Sequence, residues 1–216
     1  MVISGSTSGS RAGSLDLIGG ELALDFANTS SGRGWPTHED HLRGAGDVVD
    51  WARHAKVIKP EDADQLHRAL TANAALGARL LRRARDLRED IYLTGFELAA
   101  GRPAPGANIE RIAQAHAACL ARARLTLVDG RYIWSWSAEA SPVEAILGPV
   151  SFSALTTLTQ ADLSRVKQCQ GEKCGWLFFD ATKNKSRRWC EMEVCGNRAK
   201  QKAHRARVHA MRTITR

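Results

Sequence analysis

The sequence of 216 residues contains no apolar run near the roughly 20 residues that span a bilayer. Its first stretch, MVISGSTSGSRAGS, has neither the charged start nor the apolar segment of a secretion signal. Residues 1–14 therefore read as a flexible Gly/Ser tail, and cytoplasmic residence without membrane partners is the expectation. Also missing are a paired acidic motif, a phosphate-cradling glycine loop, a nucleophile elbow and a His/Glu set for an open metal site. HEDH at 38–41 has the wrong spacing for a helical zinc-hydrolase pair, so no enzyme is expected. There is no internal repeat.

What is present is unevenly spread. Hydrophobic residues make up 44% and charged residues 25%, enough for a real core. The net charge is +8, but residues 164–216 hold 14 Lys+Arg against 4 Asp+Glu, and residues 1–163 hold 17 against 19. The basicity belongs to the last quarter of the chain, which implies two units and a polyanionic partner for the second. Four of the five cysteines also lie there. The fifth, Cys119, sits in AQAHAACLARA and reads as a small packing residue on a helix.

Leu22, Leu24 and Phe26 alternate as in a strand, with a short helix as the alternative. HLRGAGDVVDWARHAKVI predicts a helix that Pro60 ends. From Glu61 to Gly101, Leu66, Leu70, Leu76, Leu80, Leu87, Ile91 and Phe96 recur near the 3.6 period, predicting two helices with a break near 71–73. Another helix is expected from Ile109 to about Ala123. LTLVDGRYIWSW predicts a hairpin turning at Asp129-Gly130, and Ser141-Pro142-Val143-Glu144 opens a further helix.

Cys169, Cys174, Cys190 and Cys195 form C-x4-C-x15-C-x4-C. In a reducing compartment such clusters are metal ligands or redox groups more often than disulfides. Two matched pairs separated by a hairpin-length spacer favour one structural Zn²⁺ in a closed four-thiolate site over unligated thiols. WLFFD and SRRWC are the expected strands of that hairpin, with Trp176, Leu177, Phe178, Phe179 and Trp189 as a mini-core. A module this small needs the metal to fold.

Beyond Cys195 the chain predicts a basic helix. At about 100° per residue, Arg198, Lys202, Arg205, His209 and Arg212 fall within about 40° of one line roughly 21 Å long. Ala199, Ala203, Ala206 and Ala210 form an adjacent small-residue stripe, and Lys183, Lys185, Arg187 and Arg188 add a second basic group. Together these nine cationic side chains are the candidate nucleic-acid contacts, against the plainer reading of a solvated helix. In residues 15–163, Asp25, Asn28, Arg88 and Tyr92, and Trp35, His38 and His41 in a loop, are candidate pocket residues whose bland reading is buried hydrogen bonding.

The segments DLSRVKQC and CGWLFFDATKNKSRRWCEMEVCGNRAKQKAHR, with Cys-Gly-Asn-Arg at 195–198, resemble the CGNR zinc-finger family. LALDFANT at 22–29, VVDWARHAKVI and LREDIY resemble the ABATE domain that usually precedes it. The resemblance implies a bacterial, stress-linked transcription regulator with a zinc-dependent DNA-binding finger, all four cysteines being zinc ligands. It implies sensing or regulation for residues 15–163, with no specific ligand. The expected fold is mainly α with a small antiparallel β-hairpin or sheet, followed at 164–216 by a treble-clef-like zinc finger of knuckle, β-hairpin and helix. DNA is the expected partner; an adaptor for RNA or protein is the competing reading. A small-molecule effector and a homodimer stay open.

Overall fold

The computed structural model describes residues 10–214, with side chains as far as residue 207; the expectations for residues 1–9 and for the His209 and Arg212 side chains lie outside the described residues. A 3-10 turn at Arg11–Ser14 leads into α1 (Leu22–Ala27), a short ladder of β1 (Ser30–Ser31) with β2 (Glu39–Asp40), then α2 (Ala45–His54), α3 (Pro60–Ala72), α4 (Ala74–Ala99) and α5 (Gly106–Leu120). The hairpin of β3 (Arg124–Val128) and β4 (Arg131–Ser135) precedes α6 (Pro142–Gln160). Antiparallel β5 (Val166–Gln168) and β6 (Leu177–Phe179) and the terminal helix α7 (Asn197–Ile214) complete the chain.

Local chemistry sets most boundaries. Pro60 and Pro142 open α3 and α6 at a position where a missing N–H costs no helical bond. Asn73 breaks the long periodic segment because its side chain turns back to accept the Leu76 N–H, capping α4. Gly101, at φ +71, closes α4 in the left-handed region. Asp129 and Gly130 both have positive φ, the requirement of a tight hairpin turn. Ser141 makes no side-chain cap bond; the Glu144 carboxylate is instead drawn to Arg83, 2.5 Å away.

The core lies between α1, α2, α4, α5 and α6. Phe26 and Trp51 meet at its centre with ring centroids 4.8 Å apart, and α6 is buried nearly all round through Val143, Ile146, Leu147 and Val150.

Four expectations are corrected. Residues 22–27 are helical rather than a strand: α1 is enclosed by α4 and α6, and Ala23, Leu24, Phe26 and Ala27 are all buried, so period-two spacing carried no face information. Residues 11–14 are not tail-like, because Ala12 is fully buried against α2. Finally, WLFFD does not pair with SRRWC. Its strand β6 pairs with β5, Gln168 opposite Leu177, because the Cys169–Cys174 turn closes that hairpin over a shorter loop. Leu177 does not serve a separate mini-core either. It is fully buried in the main core, its Cδ1 only 2.6 Å from where a Cβ on Gly95 of α4 would lie.

Candidate metal centre and basic face

The β5–β6 hairpin ends in a knuckle. The Cys169 N–H donates to Trp176 O at 2.8 Å, Cys174 N–H to Gly171 O at 3.2 Å, and Gly171 N–H points at Cys169 Sγ at 3.3 Å. Lys173 and Gly175 take positive φ to complete the turn. Facing it, residues 192–196 form a π-helical turn that delivers Cys195, while Cys190 enters from the preceding loop. The four Sγ atoms all lie within 4.8 Å of one another, with Cys174–Cys190 at 3.6 Å and Cys190–Cys195 at 3.7 Å. A zinc ion bonded to sulfur at about 2.3 Å in a tetrahedron requires edges of about 3.8 Å, so the cage fits one structural zinc. Among the described residues it is the one cluster with a metal-binding arrangement.

Protonation leads to the same conclusion. Hydrogen bonds from Cys174 and Cys190 hold the Cys169 thiol down to about 2. Its bond to Cys169 pushes Cys174 up to about 12, and Cys190 is pushed up by bonds to both. One thiolate therefore forms readily and the next is opposed. A divalent cation removes that opposition and lets all four bind as thiolates.

The run 195–198 has a separate reason at each position. Cys195 supplies a sulfur. A Cβ on Gly196 would sit 2.4 Å from Met192 Sδ, so glycine is what lets the Met192 side chain lie across the turn. Asn197 Nδ2 donates to Glu193 O at 3.0 Å, holding the π-turn closed where it passes into α7. Arg198 is exposed on the first turn of the helix. Gly171 is a further requirement that the spacing did not reveal: its Cβ would lie 3.0 Å from Cys195 Sγ and 3.3 Å from Cys169 Sγ.

Of the cationic side chains, Lys183, Lys185, Arg188, Arg198, Lys202 and Arg205 are exposed. Lys202 reaches Glu172 on the knuckle at 2.6 Å, and Lys185 is held by Asp162 at 2.7 Å and Ser164 at 2.6 Å, both as open pairs at the surface. Arg187 is a correction. Its guanidinium lies 4.4 Å over the Phe178 ring and donates to the carbonyls of Ile18, Trp189 and Cys190, so most of its donors are spent on bracing the second cysteine turn. From Lys200 to Arg207 every α7 side chain is exposed.

Several of the pocket candidates of residues 15–163 turn out to dock the knuckle, and the others are tied up in buried bonds or stand in solvent. Asn28 clamps the buried Leu177 peptide from both sides, donating to its carbonyl and accepting its N–H, each at 2.8 Å. Asp25 accepts the Gly19 N–H at 2.7 Å, and Gly19 O in turn accepts Phe179 N–H at 2.7 Å. Tyr92 hydroxyl receives Gln168 at 3.2 Å, while Arg33 stacks 3.9 Å above the ring. Arg88, almost fully buried, is neutralised by Asp40 at 2.6 and 2.9 Å and by Glu89. The loop of Trp35, His38 and His41 also belongs here: Gly32 N–H bonds Cys174 O at 3.0 Å, and both histidines are tied to Ser30 and Ser31. Gly95, Arg33 and Gln168 were not singled out in the sequence, since their role depends on a segment more than 70 residues away in the chain or adjacent only in space.

Two family models match the chain. Residues 20–161 match ABATE, described as "Putative stress-induced transcription regulator". Residues 165–208 match the CGNR zinc finger. A search of the curated proteins finds no match. Neither description is of an enzymatic kind, and no described helix is long and apolar enough to cross a membrane.

Proposed function

The chain belongs to the ABATE family and ends in a CGNR zinc finger, and on that premise we propose that it is a zinc-dependent transcription regulator whose finger binds duplex DNA through the exposed face of α7. The observation that carries this reading is a helix of 18 residues whose cationic side chains, as far as residue 207, stand in solvent while its first turn is fixed by a metal cage. An α-helix is about 10–12 Å across with its side chains, and the major groove is about 12 Å wide. Arg188 stands beside the cage, bonded to Gln170, and Arg198, Lys202 and Arg205 run along the helix, a distribution that suits successive phosphates. The Glu172–Lys202 pair is weak enough in water for a phosphate to replace it. Residues 15–163 hold the finger in place and give an effector or partner its point of action. The place of work is the cytoplasm, on DNA.

The test is fluorescence anisotropy of the zinc-loaded chain with random duplex DNA and structured RNA at 50 and 200 mM salt. Neutralising five to eight phosphates predicts a loss of roughly 10³-fold or more over that range. Replacing Arg198, Lys202 and Arg205 with alanine should weaken duplex binding and reduce the slope of log K against log salt by about 3, with zinc content unchanged. Unaltered binding rejects α7 as the contact surface; preference for RNA, or salt-insensitive binding, turns the reading toward an adaptor.

A further inference from the structure

The β3–β4 hairpin is built unlike the rest of the molecule. Its register sets Leu125 opposite Trp134 and Leu127 opposite Tyr132, so these four share one face. They are exposed by 56%, 40%, 60% and 70%, and no charge interrupts them. The opposite face adds Val128 and Ile133, at 43% and 47%. Neither strand carries proline or lysine, and its charged residues lie at the ends: Arg124 at the base, Asp129 and Arg131 at the turn. Sheets that must stay apart blunt their edges with such residues, and an isolated two-stranded hairpin is marginal in water. Here the strands pair along their full length with both outer edges open.

We infer that this hairpin is a dimerisation arm, and that its Leu125/Leu127/Tyr132/Trp134 face is covered by the same face of a second copy of this chain across a two-fold axis. Area is the first argument. At about 55% mean exposure and roughly 200 Å² per large side chain, four residues leave about 450 Å² in water, so two stacked faces remove about 900 Å². That lies just under the about 1,000 Å² of a standing interface, in the range of a weak, reversible pair. Charge is the second. The arm belongs to residues 1–163, where 17 basic residues nearly balance 19 acidic ones, so copies meeting there avoid the +10 of the carboxyl-terminal module. Symmetry is the third: a two-fold axis sets a face against itself, and a face without charge brings no like charges together there. This inference is independent of the nucleic-acid reading and assigns a surface that the zinc module leaves unused.

Sedimentation velocity of the full zinc-loaded chain from about 1 to 200 μM is the experiment. The native protein should pass from monomer to dimer over that range. Leu127→Glu combined with Tyr132→Glu should remain monomeric, its dissociation constant raised at least about 100-fold. Both side chains are exposed, so far-UV circular dichroism and zinc content should be unchanged and the variant should fold. A milder variant, Tyr132→Ser, should weaken the dimer partially. A native chain monomeric at 200 μM, a doubly substituted chain that still dimerises, or open-ended higher assemblies would each overturn the proposal. So would monomers that instead float with zwitterionic lipid vesicles through this hairpin.

Discussion

Asn28 is the most economical example of how one side chain ties distant segments together. It satisfies both polar groups of the Leu177 peptide, 149 positions away and buried. Asn28→Ala would strand a buried N–H and a buried carbonyl, each costing about 1–3 kcal/mol, so a loss of about 3 kcal/mol is expected in urea unfolding. Gly171 makes a similar demand through space rather than hydrogen bonding: Gly171→Ala should weaken zinc retention against a chelator, since a methyl group 3.0 Å from Cys195 Sγ forces the cage apart. Asp25 gives a signature in pH. Burial pushes its carboxyl up from 3.8 to about 6, outweighing the Gly19 N–H that favours the ionised form; Glu21 nearby adds to the rise and His54 opposes it. A folded-state pKa above the unfolded one means that proton uptake favours folding. Its contribution is therefore present below about pH 4, declines as the pH rises, and is gone above about 6. Asp25→Asn keeps an acceptor for Gly19 and removes the charge. It should stabilise the protein by up to about 3 kcal/mol at pH 7.5 and by nothing at pH 3.5, as read from the difference between thermal melts.

Among the elements, those legible in the sequence are the ones whose signal is local. The α3–α4 break at Asn73, the Asp129-Gly130 turn and the proline start of α6 each follow from the chemistry of one or two residues, whereas Pro60, read as an end, opens α3. The four cysteines were legible for the same reason, their spacing encoding two tight turns. What escaped was set by tertiary context. Period two in Leu22–Phe26 distinguishes strand from helix only when one face is exposed, and α1 is enclosed on both. Arg187 looks like one more cation in a basic run; that it braces Cys190 depends on Phe178 and Ile18 arriving alongside. The π-turn at 192–196 makes α7 an element with one rigid end. Cys190→Ser should abolish stoichiometric zinc and free that end, so that α7, exposed throughout Lys200–Arg207, loses helicity measurable by circular dichroism.

For the molecule as a whole, the two family matches meet between residues 161 and 165, yet the packing does not divide there. Leu177 lies in the same core as Leu24, Gly95 is hollowed to receive it, and the loop at Gly32 bonds the Cys174 carbonyl. Metal removal should accordingly lower the melting temperature of the whole chain, by a single cooperative transition in calorimetry, rather than unfolding residues after 164 and sparing the helices before them. Two separate transitions, the earlier one alone sensitive to chelator, would refute that coupling. Breeders of chimeric regulators meet the same fact from another direction. A finger lifted onto a foreign scaffold leaves its mortise behind, so such a chimera should fold only where the receiving helices again supply an Asn28-like clamp and a Gly95-like hollow for Leu177.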